Sequence, residues 1–357
     1  MRGRLGTETM HIGLTAEQEM LRETTARLAR SMATETADDV ASGDRLDGQW
    51  KRIVDLGLPA LRAPESCGLD ASGVEIAVAL EELGRSLTAV PVLGQAVLTT
   101  ELLHAAGADK EVELVAEGTL RMAPVLARDL ADFADSVDAG IAVDTAGATS
   151  VLFAVRDGES RRLTSAALRP AESDAGLDLT RCVRTITAGE LETAAPLGDP
   201  ITAERWMSVQ AMALTAVAAD LAGVMAGALD DAVRYAGERV QFGVKIGTFQ
   251  AVQHLLADSL VRLEGARSCV WHAAWAVDHL PADQALLAAR TAKAYASASG
   301  RDVVETAMQV LGGISITWEH ASHLRLRRTL LNRRLFGDES AQYAAIADMR
   351  LADRELS

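Results

Sequence analysis

Three textures of apolar spacing divide the chain. In the first third, apolar residues recur at helical intervals. Met20, Leu21 and Leu28 follow Thr15 and Gln18, a pair spaced to cap each other's backbone N–H groups at a helix start. Val74 to Leu83 repeats the pattern, with Gly84 standing as a stop, and a third helix is predicted from Gly94 to Ala106. Leu58-Pro59 and Ala63-Pro64-Glu65-Ser66-Cys67-Gly68 punctuate these helices as turns.

From Met122 to Pro200 the apolar runs shorten. Ile141-Ala142-Val143, Val151-Leu152-Phe153-Ala154-Val155 and Arg184 to Thr187 alternate with turn pairs such as Asp157-Gly158, which predicts a small β domain. Helical spacing then returns in long stretches: Ala203 to Tyr235, Phe249 to Asp278, Ala282 to Leu311 and Leu326 to Leu351. Long helices with short connections form a bundle. Gly223 and Gly227 share one face of the first of them, a seam where a second helix can approach closely. The predicted fold is therefore mainly α with a small β domain. Residues 1–13 read as a disordered or upstream segment, 14–118 as an N-terminal helical domain, 119–200 as the middle β domain and 201–357 as a C-terminal four-helix bundle.

Composition narrows the picture. The 357 residues are 49% apolar, enough for real cores, which excludes a disordered chain. No run of the ~18 apolar residues that a membrane span needs is present, and the N-terminus lacks the apolar stretch of a secretory signal. Cys67, Cys182 and Cys269 lie too far apart in sequence for a disulfide framework or a zinc site, so a reducing cytoplasm is expected. A net charge of -15 argues against nucleic-acid binding. One local exception is Arg325, Arg327, Arg328, Arg333 and Arg334; these form a solvated helix face or turn toward a phosphate or a neighbouring subunit. His320 and His323 are expected to pack or cap rather than bind metal, and Trp271 and Trp275 share a packing face.

Two strings carry chemistry. Arg239-Val240-Gln241-Phe242-Gly243, followed by Ile246 and by Phe249-Gln250-Ala251-Val252-Gln253, reads as a helix broken at Gly243 and a new helix capped by Thr248. A helix N-terminus and a planar guanidinium suit a pyrophosphate. Gln309-Val310-Leu311-Gly312-Gly313-Ile314 supplies paired glycines that let backbone approach a nucleotide. The first string resembles the Arg-x-x-Phe-Gly, Phe-Gln-x-x-Gln pattern of the acyl-CoA dehydrogenases. The second resembles that family's Gln-x-x-Gly-Gly-x-Gly turn, with Ser315 in place of the third glycine. Pro64 to Gly68 and Glu81 to Arg85 resemble N-terminal elements of the same family, so the likeness runs from about residue 14 to 350.

The resemblance implies FAD shared across a two-fold interface, with Arg239, Phe242, Gln250, Gln309, Gly312 and Gly313 as cofactor-binding residues. It also implies an acyl-CoA substrate, an electron-accepting flavoprotein and an oligomer, either of this chain or as an α2β2 assembly with a homologous subunit. Such enzymes remove the proton next to the thioester with a carboxylate while flavin accepts a hydride. Here the sequence departs. The position where most members carry the base is Phe336, and the alternative position falls at Ala213 and Leu214. Asp338, Glu339, Asp220 and Glu204 remain as acidic candidates, although N-capping or a surface role is expected for them. The strings that grip the flavin ring are missing from the β domain, while Leu177-Asp178-Leu179-Thr180-Arg181 resembles its late Asp-x-Thr-Arg. Three expectations follow: a dehydrogenase subunit lacking its own base, resembling those for bulky steroid side-chain thioesters; a silent scaffold completing a partner's flavin site; or a flavin oxidase on the same fold.

Overall fold

A computed structural model describes residues 10, 13–40, 43–168, 176–187 and 191–355; most of the 1–13 segment lies outside them. The N-terminal part contains α1 (Ala16–Arg30), α2 (Gly43–Asp55), α3 (Gly73–Arg85), a π-helical turn (Val92–Leu98) that runs into α4 (Thr99–Ala105), and α5 (Asp109–Ala116). Thr15 and Gln18 form the expected reciprocal capping box at α1. Gly84 does not end α3, which continues to Arg85. It instead sits against α6 (Ala203–Glu238), where an added Cβ would lie 2.6 Å from the Asp220 carbonyl.

The middle sheet has six strands: β1 (Met122–Leu126), β2 (Ala139–Val143), β3 (Ser150–Asp157), β4 (Ser160–Leu168), β5 (Val183–Thr187) and β6 (Leu191–Ile201). Their order is β5-β2-β1-β3-β4-β6, with only β1 and β3 parallel. Ala123, Val125, Ala142, Val151, Phe153 and Ile186 form its own small core.

After β6 come α6, a two-residue-strand hairpin of β7 (Val240–Gln241) and β8 (Val244–Lys245), then α7 (Gln250–His279) and α8 (Ala282–Leu311). The last predicted helix is split into α9 (Ser322–Arg334) and α10 (Glu339–Glu355), because Phe336 and Gly337 both adopt left-handed backbone, at φ 58° and 85°. Helix α6 is long and apolar enough to cross a membrane, but its apolar stretch is wholly buried within the protein, as suits the central helix of a bundle. The glycine seam packs α6 on α3. A Cβ at Gly223 would come within 2.1 Å of the Glu81 carbonyl, and one at Gly227 within 2.3 Å of the Arg85 carbonyl.

Candidate functional site

At the C-terminal end of α6 the helix stops at Glu238, and Arg239 takes an extended backbone as its cap. The break therefore precedes the predicted one at Gly243. Phe242 and Gly243 have φ of 52° and 79° between the paired strands β7 and β8. Two left-handed residues are what a two-residue type I′ hairpin loop requires. The turn lifts Phe242 to 93% exposure, with its ring 6.4 Å from that of Phe249. Thr248 does not cap α7. Its hydroxyl donates to the Lys245 carbonyl at 2.7 Å, and Phe249 occupies the cap position ahead of the exposed Gln250.

Gln309 stands exposed in the last turn of α8 and lines a groove of about 370 Å³ with Leu255, Asp258, Arg262 and Asp302. Gly312 follows at φ 67°, and neither Gly312 nor Gly313 has an atom within 4 Å of where a Cβ would stand. One apolar cluster ties these pieces together: Ala236 of α6, Ile246, Val252 and Leu256 pack with Met308 and Val310 of α8. Both predicted strings therefore lie at the same end of the bundle. Arg239 is exposed and forms no ion pair among the described residues. An unpaired guanidinium and open glycine backbone at one end of the bundle fit the pyrophosphate of a dinucleotide such as FAD.

The other end of α6 is closed. Phe336, where the sequence resemblance puts the base, is 4% exposed, and its ring lies 4.9 Å from that of Phe133, which lies 5.4 Å from that of Trp206. Ala213 and Leu214 are buried in the core of the same helix. The Phe336 N–H donates to the Leu130 carbonyl at 2.6 Å, fastening this elbow to the β1–β2 connection. Next to it, Asp132 accepts from Gln210 Nε2 at 3.1 Å and from the Phe133 N–H. Burial pushes the Asp132 carboxyl above its ordinary value. Sequence reasoning passed over this acid. Nothing in the sequence sets it apart from Asp129, Asp135 and Asp138 nearby.

Of the acidic candidates, Asp220 departs most from expectation, since it is neither on the surface nor at a helix end. It is 3% exposed in mid-helix and accepts from Arg181 Nη2 at 3.1 Å and Asn332 Nδ2 at 2.5 Å. Arg181 Nη1 also donates to both oxygens of Asp144, whose carboxylate receives the Gly94 N–H. Arg328 completes this lattice, donating to Asp178, Thr180 and the Thr88 carbonyl. The expectation of a solvated arginine face thus fails for Arg328 and Arg325, which are buried; Arg325 pairs with Asp231 and donates to the Arg85 carbonyl. Their partners are carboxylates, carbonyls and the Thr180 hydroxyl, from distant segments of this chain.

The remaining acids behave as caps and surface groups. Asp338 accepts the Ala341 N–H at the start of α10, Glu339 pairs with Arg333, and Glu204 lies exposed in the first turn of α6. His320 accepts the Ser322 N–H at the start of α9. Trp271 and Trp275 are half-buried against the core. Among the described residues, no three His, Cys, Asp or Glu side chains are grouped to hold a metal ion.

Comparison with known proteins gives the family. The acyl-CoA dehydrogenase C-terminal domain matches residues 207–351, and the acyl-CoA dehydrogenase N-terminal domain matches residues 15–113. Acyl-CoA dehydrogenase IpdE2 of Mycobacterium tuberculosis is 34% identical over 319 residues, 87% of this chain and 90% of the relative. Its namesake from Mycolicibacterium smegmatis is 32% identical, covering 92% and 97%. Among solved structures, a variant of the Tcur3481-Tcur3483 steroid ACAD superposes with a TM-score of 0.81 at 23% identity, over 96% of this chain and 99% of that one. The ChsE4-ChsE5 complex of Mycobacterium tuberculosis gives 0.78 at 22% identity, covering 95% and 98%. With both of its helical parts matched and full-length relatives above 30% identity, the chain belongs to the acyl-CoA dehydrogenase family of oxidoreductases.

Proposed function

We propose that this chain is the base-lacking subunit of a heteromeric, FAD-dependent acyl-CoA dehydrogenase of the cytoplasm. The observation that carries the reading is the phenyl ring of Phe336, packed against Phe133 at the position where the family keeps its carboxylate. A phenyl ring takes no proton, and Asp220 is fully engaged by Arg181 and Asn332. The partner subunit then supplies the carboxylate that removes the α-proton of the thioester. Bound flavin supplies the hydride acceptor. This chain's part is to bind. Arg239 neutralises pyrophosphate charge, Gln250 and Gln309 offer amide hydrogen bonds, Gly312 and Gly313 admit the nucleotide to their backbone, and Phe242 covers the interface. The assembly is an α2β2 tetramer that passes its electrons to an electron-accepting flavoprotein. Two of the structural neighbours, the steroid ACAD and the ChsE4-ChsE5 complex, are named as pairs of chains, which supports both the heteromer and a bulky steroid-derived acyl group.

A second reading rests on Asp132, which adjoins the ring stack and whose carboxyl is raised by burial, as a relocated base would be. Purifying the chain alone and together with the subunit that accompanies it from its host separates the two. Assayed for acyl-CoA oxidation with an artificial electron acceptor, the isolated chain should be silent and the complex active. Full turnover by the isolated chain, abolished by Asp132→Asn, would overturn the first reading.

A further inference from the structure

Lys293 is a lysine with no exposure at all, in the middle of α8. Its Nζ lies 2.8 Å from Ser297 Oγ, 3.1 Å from the Arg333 carbonyl and 2.8 Å from the Gly337 carbonyl. Two of these contacts hold the α9–α10 elbow. The Arg333 carbonyl is one of the last of α9 and has no intrahelical donor to receive, and Gly337 is the second left-handed residue of the turn. The same elbow is fixed by Gln342 Nε2, which donates to the Phe336 carbonyl at 2.5 Å, and by the Phe336 N–H on Leu130. A non-glycine residue in left-handed backbone persists only where its surroundings over-determine it.

We propose that Lys293 is a proton-linked positioning residue that clamps the elbow bearing Phe336 more firmly once its ammonium gives up a proton. The neutral amine still gives two N–H groups to the two carbonyls of the elbow. The ammonium also finds three acceptors, but it bears the full cost of a charge without water. Burial accordingly draws the Lys293 pKa down from 10.5 to about 7, against the attraction of Glu339 and Asp338 and with the help of Arg333. Those three are the charged groups that act on it, and none from α6 is among them.

The sign follows from linkage. Opening the elbow returns Lys293 to water and to its ordinary affinity for protons, so the open form binds more protons above neutrality. Raising the pH therefore favours the closed elbow, opposite to the alkaline loosening most buried ion pairs produce. This holds whichever subunit carries the base.

Amide hydrogen exchange of the full chain tests it, read as the protection factors of Phe336 and Gly337 after correction for the intrinsic rate. Between pH 6 and pH 9 protection should rise by roughly tenfold to a hundredfold in the unaltered chain. It should stay flat in Lys293→Met, which has nothing to titrate, and in Lys293→Arg, which remains charged. Protection that is constant or falls in the unaltered chain overturns the proposal even if neither variant folds. A rise that persists in Lys293→Arg overturns it too, since that variant keeps every histidine and cysteine.

Discussion

Between Trp206 and Asp220 helix α6 faces a buried seam shared by three parts of the molecule, whereas beyond Tyr235 it runs out onto an open rim. In the seam, each carboxylate meets a guanidinium. Asp220, Arg181, Asp144, Arg328 and Asp178 come from α6, α9 and the loops of the sheet, and their contacts reach Gly94 and Thr88 of the N-terminal part. On the rim, Arg239 has no ion-pair partner among the described residues and Phe242 is almost fully exposed. Dielectric explains the contrast. A buried charge without a partner costs several kcal/mol, so the seam must be closed by its own side chains. An exposed guanidinium is solvated by water at no such cost and stays available to a ligand. The seam is thus a joint, and the rim is left open to a ligand.

Arg328→Ala should break this comparison most strongly. The guanidinium bridges Asp178, Thr180 and the Thr88 carbonyl, and its loss strands carboxylates already removed from water. Removing one member of a buried pair costs ~3–5 kcal/mol. Urea denaturation should show a loss of that size, with the N-terminal helices and the sheet losing their common anchor. A change below ~1 kcal/mol would mean that water reaches the lattice and that the seam is no joint.

Arg239→Ala is the matching change on the rim, with the effects divided the other way. No side-chain hydrogen bond or ion pair among the described residues is lost, so stability should move by less than ~0.5 kcal/mol and helical content should be unchanged. Flavin retention by the assembled protein should weaken by ~1.5–3 kcal/mol, at least tenfold in affinity, as a charge-assisted contact to phosphate disappears. Fluorescence titration with FAD measures it. Unchanged affinity would remove the rim from the cofactor site and leave the seam as the only functional candidate.

The rim was legible in the sequence and the seam was not. Arg239 to Gln253 is one continuous string, so its residue types and spacing carry the information locally, even though the break falls at Arg239 and the cap at Phe249. Gly223 and Gly227 likewise announced a helix seam because two glycines one turn apart need no third party to be read. Arg328 sits 240 residues from Thr88 and 148 from Thr180, and no periodicity within α9 marks it as different from Arg327 or Arg334. Asp220 was expected near the surface because an aspartate in an Ala-rich helix is ordinarily solvated, and only the tertiary arrangement supplies its arginines. The split of the last helix was present as Phe336-Gly337-Asp338 and is plain once Gly337 is seen to be left-handed and Asp338 to cap α10.

Glu339 gives the smallest effect and the sharpest control, because it stands next to the elbow yet belongs to the solvent side of the comparison. Burial alone would raise its carboxyl, but the hydrogen bond and ion pair with Arg333 outweigh that and leave it below its ordinary 4.5. A carboxylate depressed in the folded state contributes stability above its unfolded value and loses it as the pH falls through the folded one. Glu339→Gln should therefore cost a few tenths of a kcal/mol near pH 7, within the ~0.2–1 kcal/mol of a surface pair, and less than that near pH 3. Urea midpoints at the two pH values read the difference directly. The same variant assembled with its partner should turn over acyl-CoA at the unaltered rate, since Glu339 is a counter-ion to Arg333. A loss of turnover with stability intact would instead make Glu339 the missing base, and the closed seam around Phe336 would then have to open during catalysis.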